Sequence, residues 1–179
     1  MSGTEGSPVR DVTLITGGAR SGKSRRALEL ARRCERRAFV APAVAFDDEM
    51  RERIARHRAE RADFVTVEEP HDLARALSSL GDGVEVAVVD CLTVWLGNLV
   101  HLHGARREGY READDFLAAL GRPGCPVIAV TNELGMGVVP ANAEARFFRD
   151  LMGAVNQSVA RTASRVEFMV SGVPLAVKG

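Results

Sequence analysis

Residues 17–24, GGARSGKS, have the residue types and spacing of a phosphate-binding loop. The pattern G-x-x-x-x-G-K-[ST] places its defining residues at Gly17, Gly22, Lys23 and Ser24. Glycine lets backbone N–H groups approach a phosphate closely, and a helix that follows the loop adds the positive end of its dipole. We therefore predict that the following residues bind the phosphates of a nucleotide: Gly17, Gly18, Ala19, Arg20, Ser21, Gly22, Lys23 and Ser24.

Lys23 is one of two lysines in a chain that has 22 arginines. A lysine ammonium is a compact charge that reaches the β- and γ-phosphates, where a planar guanidinium fits poorly. Lys23 is therefore a predicted catalytic residue. Ser24 and Asp90, which ends the apolar run VEVAVV, are the predicted Mg²⁺ ligands. A strand-ending aspartate that caps the next helix is the alternative explanation of Asp90.

The elements around this loop predict the fold class. Short apolar runs (11–18, 38–45, 63–70, 84–90 and 125–133) alternate with segments of helical spacing, and a long helix within 141–164 precedes two last strands. The runs are continuously apolar, which is typical of strands covered on both faces. We predict an α/β P-loop NTPase with a mainly parallel, doubly wound, RecA-like sheet. One domain is expected over residues 11–179, preceded by a flexible tail at 1–10.

Composition argues against several kinds of partner. The formal net charge is zero, so neither a nucleic acid nor an anionic membrane surface is an expected partner. No apolar run approaches the roughly 18 residues of a membrane span, and the polar start of the chain is unlike a signal peptide. The cysteines Cys34, Cys91 and Cys125 are scattered, which favours reduced thiols in a cytoplasmic protein.

Three stretches together resemble one known family. They are GGARSGKS, FDDEM followed by RIARHR, and VTNELGMGVVPANAEARFFRDLMGAVNQSVA at 130–160. With them the chain resembles the bifunctional adenosylcobinamide kinase / adenosylcobinamide-phosphate guanylyltransferase family of cobalamin biosynthesis, from about residue 12 to the end. The resemblance implies that ATP or GTP phosphorylates adenosylcobinamide. GMP from GTP is then transferred to give adenosyl-GDP-cobinamide, with release of pyrophosphate.

The resemblance assigns the covalent step to His57, which corresponds to the histidine that carries GMP in the family. A neutral imidazole is a good nucleophile near pH 7, and a phosphoramidate is labile enough to pass its group onward. Helical spacing would place Arg53 and Arg61 on the same helix face as His57, where they could hold phosphate oxygens. Without the resemblance, this stretch would be interpreted as a solvated basic helix.

Further nucleotide contacts are implied by position in the family pattern. They fall on Ala41, Pro42, Ala43, Arg58, Ala59, Glu60, Arg61 and Glu68. Pro42 departs from the pattern because it lacks a hydroxyl and a backbone N–H, so a contact there must use carbonyls or packing. The spacer before Glu68 is shorter than the family pattern, and an ordinary acid at a strand end is the alternative explanation of that residue.

Other roles stay open from the sequence. Thr131, Asn132 and Glu133 are expected at the crevice where α/β sheets bind ligands. Arg146 and Arg149 could contact phosphate, a partner subunit or neighbouring acids. A homotrimer is implied by the resemblance alone. Two alternative functions remain, a kinase for another small alcohol without guanylyl transfer and a non-catalytic nucleotide-binding module.

Overall fold

The computed structural model of the protein describes residues 12–44 and 48–179, with residues 49, 50, 53, 54 and 56 described by their backbone alone. The predicted tail at 1–10 lies outside the described residues. The strands are β1 (Val12–Gly17), β2 (Arg37–Ala41), β3 (Val65–Glu68), β4 (Val86–Asp90), β5 (Val127–Val130), β6 (Arg165–Val170) and β7 (Val173–Lys178). The helices are α1 (Lys23–Ala31), α2 (Asp48–Ala59), α3 (Leu73–Ser78), α4 (Leu92–His103), α5 (Arg111–Gly121) and α6 (Ala143–Thr162).

These strands form one seven-stranded sheet in the order β3-β2-β4-β5-β1-β6-β7. All neighbouring strands are parallel except β6 and β7, which form an antiparallel hairpin. The predicted mainly parallel α/β sheet is confirmed. Because β5 lies between β1 and β4, the phosphate loop and Asp90 extend from strands about 10 Å apart.

Helices cover both faces of the sheet, as the continuously apolar strands require. On one face α1 packs through Ala27, Leu28 and Ala31 against an apolar cluster that includes Ile15 and Val130. On the other face α3, α4, α5 and α6 share a larger cluster. Alternate side chains of a strand therefore lie in different clusters, one beneath α1 and one beneath the other helices.

Trp95 of α4 is the largest fully buried side chain of the larger cluster. Its ring meets that of Phe116 edge-on, with centroids 5.1 Å apart, and its Nε1–H donates to the carbonyl of His71 at 2.6 Å. A buried indole needs such an acceptor. Within the described residues, no helix has both the length and the hydropathy needed to cross a membrane.

A buried ion pair joins the first helix to the sheet. Glu167 of β6 is 1% exposed, and its carboxylate accepts from Nε and Nη2 of Arg26 at 2.8 and 2.9 Å. Arg165 also lies 2.5 Å from this carboxylate. The hydrogen bond from Arg26 is the main reason that the pKa of Glu167 lies below its ordinary value. Since Arg26 is in the first turn of α1, the pair fixes the helix that follows the phosphate loop.

We expect Glu167→Gln to lower the free energy of unfolding at neutral pH by about 3 kcal/mol, because Arg26 would lose its buried counter-ion. The ionised carboxylate stabilises the fold above pH 4.5, and this contribution is lost as the pH falls through the lower pKa of the folded state. The free energies of unfolding of wild type and variant, measured with urea, should therefore differ by the full amount at neutral pH and become equal in acid.

The exposed Glu35→Gln is the matched control and should change stability by less than about 0.5 kcal/mol. A difference between wild type and Glu167→Gln that stays constant from neutral pH into strong acid would contradict the assignment.

Candidate active site

The loop between β1 and α1 has the backbone geometry of a phosphate cradle. Gly17 has φ 144° and Gly22 has φ 94°, conformations that favour glycine. A Cβ at Gly17 would lie 2.6 Å from the carbonyl oxygen of Met169, so β1 can approach β6 only because this residue has no side chain. Gly22 is the N-cap of α1, where no side chain caps the first N–H groups. The start of α1 is therefore suited to receive an anion.

Two polar side chains of the loop are buried without a full set of partners. Lys23 is 8% exposed, and its ammonium donates to the carbonyl of Gly18 at 2.5 Å. Burial lowers the pKa of Lys23, whereas attraction to Cys91 and Asp90 opposes the shift. The Ser21 hydroxyl has no hydrogen-bond partner among the residues described. A phosphate oxygen would satisfy both groups.

Asp90 ends β4 close to the start of α1, as the sequence predicts for a metal-binding acid. It is half-buried, and the Ser24 hydroxyl donates to its carboxylate. Burial raises the pKa of Asp90, and the Ser24 hydrogen bond and the charges of His57, Lys23 and Arg61 oppose that shift. A hydroxyl and a carboxylate in contact are oxygen ligands of the kind that Mg²⁺ prefers, so this pair fits the predicted metal.

His57 lies near the end of α2, within electrostatic reach of Asp90. Its side chain is 43% exposed, and its Nδ1 lies 3.9 Å from Oε2 of Glu60, which is longer than a hydrogen bond. The imidazole is thus accessible to solvent, and its charge acts on Asp90, which accepts a hydrogen bond from Ser24 of the phosphate loop.

The position of Arg61 differs from the expectation. Helix α2 ends at Ala59, so Arg61 does not continue the His57 face of the helix. It lies in the following turn, is 5% exposed, and places its guanidinium carbon 4.0 Å from the centre of the Phe39 ring. Burial lowers the pKa of Arg61, and the charge of Asp90 opposes this shift. Its Nε has no hydrogen-bond partner among the described residues.

A cleft of about 430 Å³ beside α2 brings together four predicted nucleotide-binding residues, Ala41, Ala43, Arg58 and Glu68. Its volume is within the usual range for small-molecule sites. Arg58 and Glu68 pair with each other across it. The cleft therefore joins the end of β2, the end of β3 and α2 into one candidate nucleoside site.

Pro42, Ala59 and Glu60, the other contacts predicted by position, are not among the described residues that line this cleft. Pro42 is buried and its carbonyl already accepts from Asn98 at 2.8 Å. Ala59 is exposed at the end of α2, and Glu60 is exposed beside His57. On α6, Arg149 pairs with Asp150 at 3.1 Å. Arg146 donates to the carbonyls of Pro140 and Ala141, 2.9 and 2.6 Å away.

A contact between the β6–β7 turn and the phosphate loop was not predicted. The Gly172 N–H donates to the carbonyl of Ser21 at 3.0 Å, and Ser171 and Gly172 have φ 50° and 87°. Two positive φ values are typical of a tight hairpin turn, and the Ser-Gly pair between two apolar runs was the available signal.

A model of the cobinamide kinase / cobinamide phosphate guanyltransferase family matches residues 13–177. The chain belongs to this family. The resemblance recognised in the sequence is confirmed. Among relatives of the family, the bifunctional adenosylcobalamin biosynthesis protein CobP of Pseudomonas aeruginosa is 44% identical over 169 residues, covering 93% of this chain and 96% of the relative. The bifunctional adenosylcobalamin biosynthesis protein CobU of Escherichia coli is 36% identical over 178 residues, covering 92% and 98%.

A solved structure supports the fold independently of these relatives. A Pyrococcus horikoshii protein from a structural study aligns with a TM-score of 0.57 at 11% identity, covering 94% of this chain and 86% of that one. At this identity, the likeness concerns only the fold.

Gly17→Ala should destabilise the protein by about 2 kcal/mol or more, because the new Cβ would collide with the Met169 carbonyl at a positive φ. Gly18→Ala is the matched control in the same loop, since a Cβ there meets no atom within 4 Å. Thermal unfolding measures both. Equal melting temperatures for the two variants would contradict the close approach of β1 and β6.

Proposed function

We propose that this protein phosphorylates adenosylcobinamide with ATP or GTP and then transfers GMP from GTP to the product through a guanylyl-histidine at His57. The observation that carries the proposal is the position of His57, which is accessible and acts electrostatically on Asp90 beside the phosphate loop. Family membership and the names of its relatives agree with both activities.

In the phosphoryl transfer, the triphosphate lies on the N–H groups of the loop and the start of α1. The Lys23 ammonium exchanges the Gly18 carbonyl for β- and γ-phosphate oxygens, which carry more negative charge. Ser24 and Asp90 would hold Mg²⁺, which neutralises charge on the phosphates when bound. Together these groups stabilise charge where it develops in the transition state.

In the guanylyl transfer, an imidazole nitrogen of His57 attacks the α-phosphorus of GTP and pyrophosphate leaves. Glu60 lies on the Nδ1 side of the ring, so a modest approach of its carboxylate would hold the Nδ1 proton and leave Nε2 as the nucleophile. An oxygen of adenosylcobinamide phosphate then attacks the same phosphorus and releases His57. Arg58 and Glu68 are proposed to bind this nucleotide at the α2 cleft, and Arg61 from its buried position on Phe39.

The assembly and the cellular location of the protein are proposed as well. We retain the homotrimer on the family resemblance alone. We also place the activity in the cytoplasm, where nucleoside triphosphates are made and consumed.

Incubation with α-labelled GTP should leave one acid-labile, alkali-stable label on the wild type, and His57→Ala should abolish it. Phosphorylation of cobinamide by ATP should survive in this variant within about threefold, because the imidazole takes no part in γ-phosphoryl transfer. Denaturing electrophoresis after acid and alkali treatment measures the label.

His101→Ala, which changes an exposed histidine of α4, is the control and should label as the wild type does. Wild-type protein that phosphorylates cobinamide but takes no label would favour a kinase without guanylyl transfer. Tight nucleotide binding without either reaction would favour a non-catalytic module.

Asp90→Asn should slow both reactions by roughly 100-fold at low Mg²⁺, because the metal loses its anionic ligand while the carboxamide keeps the shape of the side chain. Rates measured against Mg²⁺ concentration should show a higher requirement for the metal. The exposed Asp82→Asn is the control. An unchanged Mg²⁺ dependence in Asp90→Asn would remove Asp90 from the metal site.

A further inference from the structure

The chain just after β5 continues alongside the phosphate loop. β5 is hydrogen-bonded to β1 on one side and to β4 on the other, with Val130 level with both Ile15 and Asp90. Beyond the strand, Thr131 N–H donates to the Ile15 carbonyl at 3.0 Å, and Glu133 N–H donates to the Gly17 carbonyl at 3.1 Å. Residues 131–133 therefore extend the ladder to the level of the first glycine of the loop.

The alternation of side chains decides which of these residues faces the phosphate site. Ile128 and Val130 belong to the apolar cluster beneath α1. Thr131 points to the opposite face, where its hydroxyl donates to the side chain of Asn156 on α6 at 2.8 Å. Asn132 consequently falls on the α1 face. Asp90 is on this face as well, because it follows Val88 of the same cluster by two residues.

The backbone of Asn132 is held from both sides. Its N–H donates to the Thr93 hydroxyl at 3.0 Å, and its carbonyl accepts from the Asn156 side chain at 3.0 Å. Asn132 is half-buried, and its hydrogen bonds within residues 12–44 and 48–179 use its backbone N–H and carbonyl, not its side-chain amide. The structure thus fixes the main chain at this position and leaves its amide donors available.

We propose that Asn132 is a catalytic residue of the phosphoryl transfer, which donates a side-chain N–H to an equatorial oxygen of the γ-phosphoryl group. This inference rests on the proposed function. In the reaction the bond between the acceptor oxygen and the γ-phosphorus forms, and the bond from that phosphorus to the β–γ bridging oxygen breaks. The nucleoside diphosphate leaves with the electron pair, and the hydroxyl proton passes to water.

An amide carried on a fixed main chain can stabilise the charge on the equatorial oxygens with only a side-chain rotation. The guanylyl transfer uses the same triphosphate differently, because it breaks the link between the α- and β-phosphates. In that reaction the γ-phosphate is only bound, so Asn132 contributes to GTP binding and not to the chemical step. The rates of the two reactions therefore distinguish a role of Asn132 in the chemical step from a role in nucleotide binding.

Asn132→Ala removes the donor without adding charge, and Asn132→Asp keeps the shape of the side chain but replaces the amide by a carboxylate. In both variants we expect kcat for cobinamide phosphorylation to fall about 100-fold or more. The maximal rate of His57 guanylylation, measured with α-labelled GTP at saturation, should stay within about threefold of the wild type.

The control is Gln157→Glu, which makes the same exchange of amide for carboxylate on an exposed residue of α6 and should change neither rate. Because the bonds that hold residue 132 use its backbone, both Asn132 variants should fold and melt near the wild-type temperature.

Equal losses in the two reactions, or a phosphorylation kcat within threefold of the wild type, would overturn the proposal. A melting temperature more than about 5 °C lower would also overturn it, since Asn132 would then be a structural residue. Failure of the proposed function is distinguishable, because wild-type protein would itself lack the guanylyl label or the phosphorylated product.

Discussion

Buried charge at the carboxyl edge of the sheet is the constraint on which the rest of the site depends. Lys23 and Arg61 are both cations removed from water, and burial lowers the pKa of each. Both act on Asp90, whose own pKa is raised by burial. Asp90 is the carboxylate that acts on both cations, and Glu68 and Glu60 also act on Arg61. The triphosphate of the proposed function would add negative charge beside these cations, and their desolvation would then strengthen the attraction.

The distribution of cationic residues follows from the different geometry of their donors. Both lysines direct the ammonium at main-chain carbonyls: Lys23 at Gly18 in the phosphate loop, and Lys178 at Ala160 and Ala163 where α6 ends. Three tetrahedral N–H donors suit such convergent carbonyls. A planar, bidentate contact with a carboxylate is made by arginine, as in the Arg26–Glu167 pair. The rarity of lysine in the sequence is thus informative, because each one has a specific backbone partner.

Much of the fold could be predicted because its signals are local. The apolar runs that predict β1, β4 and β5 are buried strands in the structure. Gly17 and Gly22, predicted from the spacing of the phosphate-loop motif, have positive φ values. Arg61 could not be placed, because helical spacing carries no information about where α2 ends. The role inferred for Asn132 depends on β5 lying between β1 and β4, a pairing of distant segments. The polar residues at the end of β5 predict that this end borders a ligand-binding crevice. They do not predict that the side chain of Asn132 lies on the α1 face of the sheet.

The anchoring of α2 would allow His57, the proposed nucleophile, to meet two substrates in turn. Arg61 stacks on Phe39 just beyond the end of the helix, and the Glu60 carbonyl accepts from Arg32 of the segment after α1 at 2.7 Å. These contacts fix the chain a few residues after His57 to the body of the fold. The imidazole can therefore lie near Asp90 and still remain 43% exposed. A covalent intermediate formed on one substrate and released to another requires this combination, because the nucleophile must meet a bound phosphate and then an incoming one. A histidine buried in the sheet could meet the bound nucleotide phosphate but would be inaccessible to the phosphate of the incoming substrate.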